Sequence, residues 1–493
     1  MTVRLVCQPD PAACDASACE LLVLPFWEGP EPASDLSSWK EIFEAPIANG
    51  DFKAKAGETL LLYFKKGRIL LLGLGKKEGV SSEAIKRAYA AAVRSAQEKR
   101  VKKIHLAFPE IPSLESDAAL RAVAEGVLLT NYAFLHLKGE SLKDKPVVLL
   151  KEAYFLGLNK AQDEKLKKWQ TIASGVHLAR ELVNGNADDV TPQMLAETAK
   201  EWEKKTSGLK ATILERKAIE DEKMGLLLAV SRGSSCDPCL ILLSYHGNPS
   251  SKDHVVLVGK GVTYDTGGLS LKPTESMLTM KCDMAGAATA LAAVQTAAAL
   301  GLPVNVTAVA PATENAIDAQ SYKIGDVYKA MNGKTVEITN TDAEGRLILA
   351  DALSYAVKHL KPSLIIDLAS LTGAIVVALG EDLSGVFCDD EPLVKELVSA
   401  SNTVGEPLWR MPLVADYKEM LKSDIADMVN SAGRSASSIT AALFLQEFCG
   451  KVPWAHIDFA GSCFLTKPKH INTTKATGFG VRLLIEFLER RQK

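Results

Sequence analysis

Two stretches of the chain gather side chains that can do chemistry together. The first runs Val258-Gly-Lys-Gly-Val-Thr-Tyr-Asp-Thr-Gly-Gly-Leu-Ser-Leu-Lys272 and on to Met280-Lys-Cys-Asp283, and supplies Lys260, Asp265, Lys272 and Asp283. The second, Asn340-Thr-Asp-Ala-Glu-Gly-Arg-Leu347, supplies Asp342, Glu344 and Arg346. Asp342 and Glu344 stand two apart, so on an extended strand end both side chains leave by the same face. Carboxylates converging there repel unless a cation sits between them, and their oxygens are good ligands for zinc, manganese or magnesium. Asp265 and Asp283 bring the carboxylates to four, which suits two divalent ions with shared ligands. Two ions roughly 3.5–4 Å apart can clamp a bridging hydroxide and polarise a carbonyl or phosphoryl oxygen.

Singly, these residues have plainer readings. An isolated Asp-x-Glu is more often a helix cap or a solvated pair than a ligand set. Lysines at 260 and 272 would be surface charges in most proteins, although Lys260 directly follows an apolar strand, where a charge is expected only with partners. Arg346 falls in the first turn of the helix that follows, the unfavourable end of the helix dipole for a cation, which suggests that its guanidinium holds an anion. The glycines at 259, 261, 267 and 268 let the backbone fold tightly around a site. The phosphate-loop pattern Gly-x-x-x-x-Gly-Lys-Ser/Thr is absent.

The elements that must position these residues follow from the apolar pattern. Candidate strands are Ala211–Leu214, Leu240–Tyr245, Val255–Gly259, Val304–Ala310, Leu364–Ala369 and Ala455–Phe459, mostly short and continuously apolar, as strands buried on both faces are. A short apolar run, Val336 to Ile338, precedes the second stretch. Helical spacing marks the alanine-rich run from 285 to 300, and the run from 346 to 360 with Leu347, Ala350, Leu353, Val357 and Leu360. Alternating strands and helices predict an α/β fold with a mixed, mostly parallel sheet flanked by helices, whose ligands sit outside the carboxyl ends of the strands. The first part of the chain also reads as α/β, with strands at Thr59–Phe64 and Arg68–Gly73 and a Ser-capped helix from Ser82 to Lys99. The expected division is a smaller N-terminal α/β domain over 1–160, a linker helix over 161–183 and a large catalytic domain over 184–493.

Bulk properties narrow the function. The 493 residues exceed one core's usual size. With 57 Lys and Arg against 60 Asp and Glu, the formal net charge of -3 calls for no nucleic-acid or anionic-membrane partner. No apolar run can span a bilayer, and the N-terminus lacks the pattern of a signal peptide, so a cytoplasmic location is expected. Nine scattered cysteines make no disulfide framework. Cys236-Asp-Pro-Cys239 has no second pair to complete a zinc site, and reads as two reduced thiols in a turn.

The run Asn340–Leu347 resembles, in full, the signature of the leucine aminopeptidase (cytosol aminopeptidase) family. Gly259-Lys-Gly-Val-Thr-Tyr-Asp-Thr-Gly-Gly268, Lys272 and Asp283-Met-Ala-Gly-Ala-Ala288 are similar to that family's first metal segment. The likeness continues in order through Asn332-Gly-Lys-Thr335, Asp367-Leu-Ala-Ser-Leu-Thr-Gly-Ala374, Trp454-Ala-His-Ile-Asp-Phe-Ala-Gly461 and Ala476-Thr-Gly-Phe-Gly480, covering the chain from about Ala179 onward. Asn186 and Ile324 stand where the family usually has proline, which bears on loop shape rather than on ligands.

The resemblance implies hydrolysis of N-terminal residues, preferably leucine and other large apolar ones, from peptides with a free N-terminus. Lys260, Asp265, Asp283 and Glu344 would hold one metal, and Asp265, Asp342 and Glu344 the other, both Mn2+ or Zn2+. A lysine ligand must be neutral, which neighbouring cations favour. Lys272 would stabilise the oxyanion. Arg346 would position a bicarbonate that shuttles protons. Met280, Leu371, Thr372 and Gly373 could shape the pocket for the first side chain, though each is also an ordinary core or turn residue. The eight histidines are not needed as ligands, and His456 reads as a core residue. A homo-oligomer, the family's usual hexamer, is the expected assembly. Two alternatives stay open: another bimetallic hydrolase, such as a phosphoesterase, and an accessory DNA-binding role for the N-terminal part around Lys99-Arg-Val-Lys-Lys103.

Overall fold

A computed structural model describes residues 3–10, 14–16, 19–144 and 146–492. The chain divides into two compact units: Met1–His177 with Lys467–Lys475, and Leu178–Thr466 with Ala476–Lys493. The division falls within one long helix, Lys160–Asn184.

In the first unit, Arg4–Gln8, Glu152–Leu156, Lys103–Ala107, Leu22–Trp27 and Gly67–Gly73 lie side by side in that order, all parallel. Thr59–Phe64 closes one edge as an antiparallel hairpin partner of Gly67–Gly73. The helix Ser82–Glu98 begins where the Ser81 hydroxyl accepts from the Ala84 N–H, and packs against Ser116–Thr130. Within the basic run, Lys103 pairs with Glu152 at 2.9 Å.

The second unit is built on a sheet whose order is Leu408–Arg410, Ser384–Phe387, Trp454–Asp458, Leu364–Ala369, His254–Gly259, Asn305–Asn315, Cys239–His246 and Leu209–Leu214. The four strands from Trp454–Asp458 to Asn305–Asn315 are mutually parallel, and Gly261–Asp265 adds parallel beside the far half of Asn305–Asn315. Antiparallel partners finish both sides, so the sheet is mixed and mostly parallel, as expected from the apolar strands. Because the central strands run the same way, their carboxyl ends share one edge, and there the chain places Lys260, Asp265, Asn315, Ser370 and the loop after Asp458.

The helix Ala285–Ala299 is buried almost all round, because alanine lets it lie close against the middle of the sheet. A Cβ at Gly286 would come within 2.2 Å of the Leu368 carbonyl and 2.6 Å of the Lys260 amide, so this approach requires glycine. A small separate sheet joins Val327–Lys329 and Thr335–Glu337 as a hairpin, with Met428–Val429 parallel to the latter. Gly261–Asp265, to which the apolar pattern assigned no element, is a strand. The strand before Asn340 ends at Glu337, and the regular helix begins at Glu344 and stops at Tyr355, followed by a wider π-type turn to Leu360 and Pro362. Cys236 and Cys239 are free thiols, and the Cys239 thiol donates to the Pro192 carbonyl. No helix among the described residues is long and apolar enough to cross a membrane.

Candidate metal centre

The two sequence stretches meet at the carboxyl edge of the sheet. Asp342 and Glu344 do converge, but through a turn and a helix start rather than through strand alternation. The Asp342 amide donates to Asn340 Oδ1 at 2.8 Å, and Glu344 is the first helical residue, where the dipole favours an acid. Carboxylate oxygens of Asp265, Asp342 and Glu344 lie within 4.8 Å of one another.

Two ammonium groups sit among these acids. Lys260 Nζ is 2.8 Å from Asp283 Oδ2 and 2.8 Å from Glu344 Oε1, and donates to the Ser370 carbonyl at 3.1 Å. Lys272 Nζ lies 3.0 Å from Asp265 Oδ2 and contacts Asp342 Oδ1. Lys260, Asp265, Asp283 and Glu344 are buried, while Lys272 and Asp342 keep some exposure. Burial raises the Asp265 and Asp283 carboxyls, and with the charge of Glu344 it lifts Asp342 to about 6. Burial alone would lower Lys260 and Lys272, but the surrounding carboxylates outweigh it and hold both above the ordinary lysine range.

These residues fit divalent cations on their own chemistry. Four carboxylates face two ammonium groups in a mostly buried cluster, so negative charge is in excess. Glu344 Oε2 is buried with no hydrogen-bond donor among the described residues. Hard oxygen donors with one amine suit a borderline or hard divalent ion.

A shell of polar residues that the sequence reading did not single out holds the carboxylates. Asn315 Nδ2 donates to Asp265 Oδ1 at 2.8 Å and to the Thr341 carbonyl at 3.0 Å, and the Tyr322 hydroxyl donates to the same carbonyl. The Ser370 hydroxyl donates to Asp283 Oδ1 at 2.7 Å. Asn430, fully buried, accepts from the Thr339 amide at 2.9 Å and donates to the Asn340 carbonyl at 2.7 Å, while its own carbonyl accepts from Arg346 Nη1 at 2.8 Å. Ser370 directly follows the expected strand Leu364–Ala369, a signal the sequence did carry, whereas Asn315 carried none, because its strand runs five residues past the expected end at Ala310. Asn430 carried none, because it reaches Asn340 only through the pairing of Met428–Val429 with Thr335–Glu337.

Arg346 is buried, and its Nε has no hydrogen-bond partner among the described residues. Burial lowers its pKa to about 10, still charged at neutral pH. His456 is indeed in the core, its Nδ1 2.6 Å from Asp367 Oδ1. Of the expected pocket residues, Thr372 is engaged as the cap of the helix Gly373–Leu379, and its hydroxyl bonds Asp458 Oδ2 at 2.6 Å. Leu371 follows Ser370 and Met280 opens the turn before Asp283, so both lie beside the cluster along the chain, and Gly373 is exposed.

A parallel-sheet edge carrying four acids, two lysines and a buried arginine is the framework of a metal-dependent hydrolase. Residues 177–485 match the cytosol aminopeptidase family's catalytic domain, and 23–141 its N-terminal domain. The chain is 49% identical over 478 residues to the probable cytosol aminopeptidase of Protochlamydia amoebophila (strain UWE25), covering 96% of both, and 48% identical over 492 residues to that of Chlamydia felis (strain Fe/C-56), covering 97% of this chain and 98% of the relative. Among solved structures, a tomato leucine aminopeptidase mutant aligns with a TM-score of 0.88 at 34% identity, over 99% of this chain and 97% of that one. The bottromycin maturation enzyme BotP in complex with Mn aligns with a TM-score of 0.86 at 32% identity, over 97% and 100%. The chain belongs to the cytosol aminopeptidase family and is a metal-dependent aminopeptidase.

Proposed function

We propose that the protein removes N-terminal residues, leucine and other large apolar ones preferred, from peptides in the cytoplasm, with two divalent ions at the Asp265–Glu344 cluster. The carrying observation is the convergence of Asp265, Asp342 and Glu344 beside Lys260 and Asp283 at one sheet edge. Lys260, Asp265, Asp283 and Glu344 would hold one ion, and Asp265, Asp342 and Glu344 the other. Mn2+ or Zn2+ fits this donor set, and BotP, similar in fold, has been solved with Mn. Bound there, the ions supply Lewis acidity for a water and the scissile carbonyl and a ligand position for the substrate's α-amino group.

The chain's own residues do the rest. Lys272 keeps some access to solvent, so its ammonium can meet the oxyanion that develops on the carbonyl. Arg346, with Nη1 anchored on the Asn430 backbone carbonyl and Nε without a partner among the described residues, would hold a small planar anion; bicarbonate fits, and would supply a proton-carrying group beside the ions. Met280, Leu371 and Gly373 would wall the pocket for the first side chain, with Thr372 fixing the loop. The family's usual hexamer is the assembly we expect, checked by light scattering.

Hydrolysis of leucine amide, glutamate amide, N-acetyl-leucine amide and a phosphoester, each with and without chelator, tests this reading. Chelator-sensitive release from leucine amide, weak release from glutamate amide and none from the acetylated substrate are expected. Preferential phosphoester cleavage would replace it with the phosphoesterase alternative.

A further inference from the structure

A second group of ligand-type side chains lies in the first unit, unused by peptide hydrolysis. Donor atoms of Cys14, Cys19 and His105 fall within 4.8 Å of one another. The Cys19 amide donates to the Asp15 carbonyl at 3.0 Å, and its thiol faces the Ala16 carbonyl at 3.9 Å. His105 sits on the strand Lys103–Ala107, its amide bonded to the Leu21 carbonyl at 2.9 Å. Glu20, next to Cys19, accepts from the backbone amides of Lys102 at 2.7 Å and Lys103 at 3.3 Å, tying the cysteine segment to the histidine strand. The His105 ring is stacked on Tyr154, centroids 4.7 Å apart and planes 14° from parallel. Its Nδ1 is buried with no hydrogen-bond partner among the described residues, and both cysteines are free thiols.

Two sulfurs and an imidazole nitrogen are the donor set of a soft ion rather than of the hard ions suited to the carboxylate cluster. Burial lowers the His105 pKa, so the ring is neutral and able to ligate at neutral pH. We propose that Cys14, Cys19 and His105 bind a thiophilic d10 cation of the zinc class, which fastens the segment before Leu22–Trp27 to the sheet. Three protein ligands leave the fourth tetrahedral position to water. Cys19 and His105 are only partly buried, so an ion can enter.

Cd2+ titration of the reduced, chelator-stripped full-length protein, followed by near-ultraviolet cadmium–thiolate absorption, tests the site. One thiolate-bound Cd2+ per chain is expected, with the band kept in Asp342→Asn, whose substitution lies in the carboxylate cluster. Cys14→Ser with Cys19→Ser should abolish the band, and His105→Gln should weaken binding about tenfold or more. Should the serine variants not fold, wild type still decides: Cd2+ should protect Cys14 and Cys19 from alkylation, read by peptide mass. Absence of a thiolate band, a band unchanged in the serine variant, or a Cys14–Cys19 disulfide that forms readily and is not prevented by Cd2+ would overturn the proposal.

Discussion

Gly345 lies in the first turn of the helix Glu344–Tyr355, where replacing glycine by alanine would ordinarily stabilise by about 1 kcal/mol. Here the opposite sign is expected. A Cβ at this position would stand 2.5 Å from Lys260 Cε, 2.6 Å from its Nζ and 2.8 Å from its Cδ. A free lysine tail would swing aside, but this one is buried and held between Asp283, Glu344 and the Ser370 carbonyl. Moving the ammonium breaks a buried ion pair, at about 3–5 kcal/mol. Allowing for the helix gain, Gly345→Ala should destabilise the chelator-treated protein by about 2–4 kcal/mol. Urea denaturation in chelator measures this, and the metal-loaded variant should also lose leucine amide hydrolysis by at least about tenfold. A variant as stable as wild type or more so, with unchanged activity, would show that Lys260 is not fixed where the structure puts it.

Other outcomes follow from the same cluster. Asn430→Ala leaves the Thr339 amide and Asn340 carbonyl without their partner, so stability should fall by about 2–4 kcal/mol and calorimetry should show weakened Mn2+ binding; unchanged Mn2+ affinity would deny Asn430 its part in placing the 340–346 turn. Lys272→Met removes a cation that competes for Asp265 and Asp342, so Mn2+ should bind at least as tightly while kcat drops about 10²–10³-fold. Lowered kcat together with weakened Mn2+ would instead make Lys272 a structural counter-ion. The carboxylates hold the Lys260 ammonium above the ordinary lysine range, so a metal taking its nitrogen must release that proton. Mn2+ affinity should then rise with pH, about tenfold per unit for each proton released, and fall more steeply below about 6, where Asp342 also becomes protonated. Calorimetry in buffers of different ionisation enthalpy counts the protons, and none released near pH 8 would exclude Lys260 as a ligand.

Much of this architecture was legible in the sequence. The central strands announced themselves because burial on both faces leaves them continuously apolar, and Leu364–Ala369 is found with the bounds its pattern suggested. Gly261–Asp265 was hidden because its glycine reads as a turn former. That glycine instead permits close packing, since a Cβ there would lie 2.6 Å from the Pro311 carbonyl. The seven polar residues of the candidate centre were visible as types and spacings; the four carboxylates and two lysines come together, and Arg346 is buried where the charge of Glu344 reaches it. What holds them was not visible: Asn430 acts through pairing between segments about ninety residues apart, and the Lys260 clamp depends on a glycine whose role shows only in three dimensions. The Cys14, Cys19 and His105 group escaped for the same reason, since a sheet register brings His105 beside Leu22.

Metal stoichiometry tied to activity tests the central claim most directly. Stripped wild-type protein titrated with Mn2+ should bind two carboxylate-held ions per chain, with leucine amide hydrolysis returning as they bind, and Asp342→Ala should lose one ion and nearly all activity. Full hydrolysis in chelator, or an Asp342→Ala variant as active as wild type, would contradict it.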